Sequence, residues 1–307
     1  MENQLKINGI ENKVLIGSGD GNLYTFDDVT KDLNVLYRLE NDNEHFCGIS
    51  ETNNSIIINT NLNICTYTKS NPIFTIYNLD GNNIDLALGK SKAQGDNTFI
   101  ASNGIKGIVI LSLEKSYDVY MIKFNCEEYT SLFDTFTSID VHNDKIYINL
   151  SKINDSDTGG LVTLNKKFEM LSAESFDIES DCFYFIDDEP YILGKNMLIN
   201  NKGPQIKFDS RFLCRDFSVT DDKIFIVGRA ILPEKGTTRS GGFIAELDRH
   251  FKQRYMKVFE RSGAFVSCLY VGKDKKSDCD NSNIILNNIE WTPNENIFVK
   301  EVKKWVK

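Results

Sequence analysis

Seven of the eight arginines in this chain fall between positions 211 and 261: Arg211, Arg215, Arg229, Arg239, Arg249, Arg254 and Arg261, with only Arg38 elsewhere. The same window holds Lys223, Lys235, Lys252 and Lys257 against seven acids. It therefore carries a net charge of +4, while the remaining residues carry −13 and the whole chain −9. Arginine offers a rigid planar fork that grips carboxylates and phosphates through two parallel hydrogen bonds, where lysine offers a point charge. Within the window runs Glu234-Lys235-Gly236-Thr237-Thr238-Arg239-Ser240-Gly241-Gly242. Its glycines and threonines leave backbone amides and hydroxyls free for an anion, although it has neither the spacing nor the following helix of a P-loop. The residues expected to hold an anionic partner are Arg211, Arg215, Arg229, Arg239, Lys235, Thr237 and Thr238. The competing expectation is a belt of ion pairs to acids on neighbouring units, because alternation along a strand sends successive side chains to opposite faces.

The other chemically capable residues form no recognisable motif. His45, His142 and His250 lie far apart, with no HxH or HExxH spacing for a metal. His45 and Cys47, two apart on an expected strand, share a face, but a buried pair fits them better than a nucleophile and its base. There is no GxSxG elbow. Asp187-Asp188-Glu189 and the group Asp274, Asp278, Asp280 read as solvated turns. Ser18, Asp20 and Asn22 alternate as calcium ligands do, but Leu23 stands where that loop requires glycine. No catalytic residue, metal or cofactor is assigned. Seven cysteines at long, irregular spacings read as reduced core thiols. With no leader-like start and no apolar run of the ~18–20 residues that span a membrane, a cytoplasmic protein without membrane attachment is expected.

The elements that must position the arginines are strands. Short β-branched and aromatic runs alternate with Asn, Asp and Gly clusters from end to end, and a 3.6-residue period is nowhere sustained. One two-strand phrase occurs three times. Lys13–Gly17 leads to Gly21–Asp27, Lys145–Ile148 to Gly159–Asn165, and Lys223–Ile226 to Gly242–Asp248. Fainter endings occur at Asp80, Glu114 and Asp209, which puts the mean spacing at about 44 residues, the length of a four-stranded propeller blade. The fold expected is all-β: a single closed β-propeller over residues 1–307, of about seven blades, with six or eight also compatible. The approximate blades are 11–40, 46–80, 84–125, 134–175, 178–210, 214–260 and 264–300. Against its counterpart loop 151–159, the stretch 229–242 is an insertion in the sixth blade.

Lys13-Val14-Leu15-Ile16-Gly17-Ser18-Gly19-Asp20-Gly21-Asn22-Leu23-Tyr24-Thr25-Phe26-Asp27 resembles a repeat of the quinoprotein-like propeller superfamily, and its layout is similar to WD40-type blades. The resemblance implies the fold. It does not imply the quinone cofactor, because Trp291 and Trp305 are the only tryptophans, whereas quinoproteins place one in nearly every blade. No Gly-His or Trp-Asp pair marks a blade as in WD40 proteins. The function expected is a non-catalytic interaction module that docks a protein or peptide, or another anionic partner such as RNA, through the arginine-rich sector. The alternatives are an enzyme or small-molecule binder acting on an anionic substrate at the central funnel, and a glycan binder using Tyr67, Tyr120 and Tyr184.

Overall fold

The computed structural model describes residues 14–68, 71–78, 87–102, 107–112, 118–124, 135–151, 158–176, 178–234, 237–259, 266–271 and 297–302. These residues form strands and no helix, in six antiparallel sheets. Sheet I orders β24 (Val266–Val271), β1 (Val14–Ser18), β2 (Asn22–Phe26) and β3 (Leu33–Arg38). Sheet II is β4 (Phe46–Glu51), β5 (Ser55–Thr60), β6 (Asn63–Thr68) and β7 (Asn71–Asn78). Sheet III is β8 (Leu88–Gln94), β9 (Asn97–Ser102), β10 (Gly107–Ser112) and β11 (Asp118–Phe124), with β25 (Ile297–Val302) outermost. Sheet IV is β12 (Thr135–His142), β13 (Lys145–Ser151), β14 (Gly159–Leu164) and β15 (Met170–Phe176). Sheet V is β16 (Cys182–Ile186), β17 (Glu189–Gly194), β18 (Met197–Asn200) and β19 (Gly203–Lys207). Sheet VI is β20 (Phe212–Val219), β21 (Lys223–Glu234), β22 (Thr237–Asp248) and β23 (Gln253–Phe259).

The repeated phrase is the central hairpin of a sheet: β1–β2, β13–β14 and β21–β22. Its closing residue works the same way in all three copies. Asp27 Oδ1 accepts from the amides of Val29 (2.8 Å) and Thr30 (2.9 Å), Asn165 Oδ1 from Lys167 and Glu169, and Asp248 Oδ1 from His250 and Lys252. Such side-chain caps hold the backbone in the tight turn to the outer strand. The turn passes through a left-handed residue each time, at Lys31, Phe168 and Phe251.

Burial explains why the second strands carry the apolar runs. β1, β5 and β9 are buried along their whole length, whereas β3 and β15 at the outer edge are largely exposed. A strand covered on both faces reads as a continuous apolar run rather than an alternating one. Leu15 and Leu23 of sheet I join Phe46, Ile56 and Ile58 of sheet II, and Phe99 and Ile110 of sheet III join Phe136, Ile139 and Ile148 of sheet IV. Leu193 and Leu198 of sheet V meet Ile226 and Phe243 of sheet VI. Val14, Ile16 and Phe26 meet Phe225, Val227 and Ile244, so the first sheet also packs on the sixth. The leading strands touch in the same order, with β24 against both β20 and β4.

The described residues form six sheets, a number the period allowed beside about seven, and strands of the segment 264–300 join two of them. β24 pairs with β1 through Val14↔Val271 and Ile16↔Leu269, and β25 pairs with β11 through Val119↔Val302. Residues 272–296 of that expected unit lie outside the described residues. The physical reason is pairing. The late strand β24 pairs with β1 on the side away from β2 and satisfies that edge.

Candidate functional site

The register of sheet VI divides the arginine sector between two ends of one blade. Lys223↔Asp248 closes one end of the β21–β22 ladder and Arg229↔Gly242 lies six rungs away, or about 20 Å at the strand rise. At the first end the cations are paired. Arg249 contacts Asp187 and Arg254 lies 2.6 Å from Asp248 Oδ2. Lys223 reaches Asp28 at 2.5 Å and Glu246 at 3.3 Å, while Lys31 reaches Asp28 at 2.7 Å and Glu246 at 2.6 Å. This four-charge group bridges sheets VI and I. For Asp28 and both lysines, burial opposes the charged form, but the opposite charges win. The Asp28 carboxyl is held below the ordinary range and both ammonium groups above theirs.

At the other end the predicted residues part company. Arg211 Nε lies 3.0 Å from Asp209 Oδ1 at the surface. Arg215 is the bulged residue of β20, since the ladder steps from Cys214↔Gly228 to Asp216↔Val227. Its guanidinium pairs with Asp181, whose charge holds the arginine above its usual pKa against the pull of burial. Arg229 differs. Its Nε (2.9 Å) and Nη2 (2.5 Å) both donate to the Ser240 hydroxyl, and among the described residues it meets no carboxylate. Thr237, Thr238 and Arg239 are rungs of β22 opposite Glu234, Pro233 and Leu232. Arg239 sits three rungs from Arg229, so the two occupy rungs of opposite parity. Lys235 and Arg261 lie outside the described residues.

Both strands carrying Arg229 and Arg239 are twelve residues long. β20 makes its last rung at Phe212↔Ala230 and the described part of β23 ends at Gly242↔Phe259, while β21 and β22 stay paired from Ile231↔Ser240 to Glu234↔Thr237. The insertion expected as a loop thus continues the β21–β22 hairpin past the last rung to β20. Pro233 lies beyond the last rung to β20, where its missing N–H costs no bond to that strand.

A second polar group, absent from the sequence-based expectations, occupies the centre, where the leading strands of the sheets face one another. Lys90 of β8, its side chain only 10% exposed, donates to the carbonyl oxygens of Asp181 (3.2 Å) and Arg215 and lies 3.9 Å from Asp216 Oδ1. Burial alone would lower its pKa, yet Asp216 and Asp181 keep it above the usual lysine value. Two residues on, Lys92 is 3.0 Å from Asp140 Oδ1 and lies over the Tyr184 ring at 5.4 Å. Burial first, and then Asp216, push the Tyr184 hydroxyl well up. Asp140 Oδ2 accepts from the Phe185 amide (2.9 Å) and Ser138 Oγ from the Phe183 amide (3.1 Å), fastening β12 to β16. Asn149 Nδ2 donates to Ser180 O at 3.0 Å while Ser180 Oγ donates to Asn149 Oδ1 at 2.6 Å. Asn59 Nδ2 reaches Gly89 O at 2.7 Å in the same way. The only sequence signal for this centre is polar–apolar–polar alternation in the leading strands, as in Ser138-Ile139-Asp140 and Asp216-Phe217-Ser218.

The remaining candidates resolve into structure. Cys47 is a bulge residue of β4 whose thiol burial pushes up to about 12, and it donates to His45 O at 3.6 Å. Asp187 and Asp188 form the left-handed turn between β16 and β17, where Asp188 meets His142 at 3.0 Å. Asn22 donates its amide to Asp20 Oδ1 (3.1 Å) in a turn that needs Gly21 at φ +77°. Asp274, Asp278 and Asp280 lie outside the described residues, and for Tyr67 and Tyr120 the structure gives only their strand positions.

No family model and no curated protein matches the chain. Among solved structures, 84% of it matches 98% of a protein of unknown function from Bacteroides caccae, at 12% identity and TM-score 0.61. A chain of the nidogen/laminin complex is matched over its whole length by 86% of this one, at 9% identity and TM-score 0.56. The β-propeller domain of Myceliophteria thermophila Cps50 (Swd1) is matched over 98% of its length by 85% of this chain, at 9% identity and TM-score 0.46. At such identities likeness speaks to fold and not to function. The arrangement of sheets in this chain is that of β-propeller structures.

Proposed function

We propose that the chain is a closed six-bladed propeller serving as an interaction module that docks an acidic protein or peptide segment through Arg229, beside the β21–β22 hairpin. Closure is supported by β24 completing sheet I and by the packing of that sheet on sheet VI. The observation that carries the docking site is Arg229. Of the arginines in the 211–259 stretch whose side chains are described, Arg211, Arg215, Arg249 and Arg254 each meet a carboxylate of this chain, whereas Arg229 is oriented by a hydroxyl and meets no carboxylate among the described residues. A preset guanidinium that meets no described carboxylate of its own chain suits a partner carboxylate or phosphate. The sequence neighbours Lys235, Thr237 and Thr238 would add a cation and two hydroxyls to the proposed site, and the buried thiols of Cys182 and Cys214 support a reducing, cytoplasmic setting.

The test is fluorescence anisotropy with Asp/Glu-rich and phosphorylated peptides. Binding should weaken with salt. It should fall roughly 10-fold or more in R229A, as expected when a charged hydrogen-bond partner is lost, and stay unchanged in R254A. Binding indifferent to salt and to the R229A substitution overturns the reading.

A further inference from the structure

We propose that the centre of the ring is a built-in primary-ammonium site occupied by the chain's own Lys90, so that removing this side chain creates a binding site for small alkylammonium ions. The acceptors come from two other sheets. Arg215 O belongs to the bulged residue of β20, Asp181 O to the residue preceding β16, and the Asp216 carboxylate stands 3.9 Å away. A bulge takes a residue out of the regular ladder and disrupts its strand-to-strand bonding. Carbonyls at such positions need donors from elsewhere once buried. An ammonium has three rotatable donors and no acceptor, which matches two carbonyls and a carboxylate.

The side chain comes from sheet III, where β8 carries its own bulge between Leu88 and Ser91. It crosses the centre to reach sheets V and VI, so three sheets share one ammonium, and no described carboxylate of sheet III pairs with it. The arrangement also gives Arg215, expected on sequence grounds to face a partner, an inward role. Its carbonyl receives Lys90 and its guanidinium neutralises Asp181.

Lys90→Ala removes three carbons and the nitrogen, the atoms of n-propylammonium. K90A should lose on the order of 10 °C of melting temperature, as for a broken buried charge contact in a chain of this size. Adding n-propylammonium chloride should recover part of the loss by binding the folded state. Potassium chloride and 1-propanol at equal concentration should not, and the wild type should not respond to any of the three. K90M, which keeps the stem without the charge, should also melt lower and should not be rescued. If K90A does not fold alone, refolding yield with and without n-propylammonium reads the same site. K90M as stable as the wild type, or equal responses of K90A and wild type to n-propylammonium, overturns the proposal.

Discussion

Lys90 and Arg229 each carry one positive charge, and their surroundings differ in every respect that bears on binding. Lys90 is buried at the meeting point of three sheets, with its donors directed at two carbonyls and a carboxylate from elsewhere in the chain. Arg229 lies half-buried between Leu213 of β20 and Gly242 of β22, and its fork rests on Ser240. Burial decides what each charge can do. A charge withdrawn from water must be satisfied by its own fold, whereas one left at the rim keeps its hydration until a partner replaces it. Between these extremes stands the four-charge bridge of Asp28, Lys31, Lys223 and Glu246, half-buried and joining sheet VI to sheet I.

The largest expected effect lies at the centre. Asp216→Ala strands Lys90 and Tyr184 without their carboxylate and should cost about 3 kcal/mol in urea unfolding. A loss under about 1 kcal/mol would mean the centre tolerates exposed charge as the rim does, and would end the contrast. Asn149→Ala breaks the reciprocal bond with Ser180 between sheets IV and V and should cost about 2 kcal/mol, because buried polar partners are left unpaired. An intermediate effect belongs to the bridge. The depressed pKa of Asp28 makes its stabilising contribution full above 3.8 and lost as the pH falls through the lower folded value. The raised values of Lys31 and Lys223 make theirs full below 10.5 and lost as the pH rises through the higher folded values. K223M should therefore melt below the wild type at pH 7, with the gap closing toward either extreme. A gap constant from pH 2 to 12 would assign the loss to packing instead. The smallest effect belongs to exposed Arg254, whose pairing with Asp248 is a surface contact. R254A should melt with the wild type, and a clear drop would show that the rim pairs are structural too.

Much of the fold was legible because it is written locally. Val14–Ile16, Ile146–Ile148 and Ile224–Ile226 are apolar at successive positions because each becomes a strand covered on both faces. Asp27, Asn165 and Asp248 recur because each caps its own turn within four residues. The stretch 229–242 was legible as an insertion but not as a hairpin, since nothing local says that β21 and β22 stay paired past the last rung to β20. Which strand completes which sheet was not legible for a related reason. The partner of β1 lies some 250 residues away in β24, and a repeat period counts units without saying which strand closes which sheet.

The candidate site divides along the same line. That positive charge concentrates between 211 and 261, and that it takes the form of arginine, is a property of the sequence alone. Which arginine stays available was decided in three dimensions. Asp187 is 62 positions from Arg249 and Asp181 is 34 from Arg215, and only the stacking of sheet V on sheet VI brings them together. Lys90 shows the limit most clearly, for its acceptors lie 91 and 125 positions away. Local chemistry follows from neighbours a few bonds apart, but neutralising a buried charge depends on which distant carbonyls the packed sheets turn toward it.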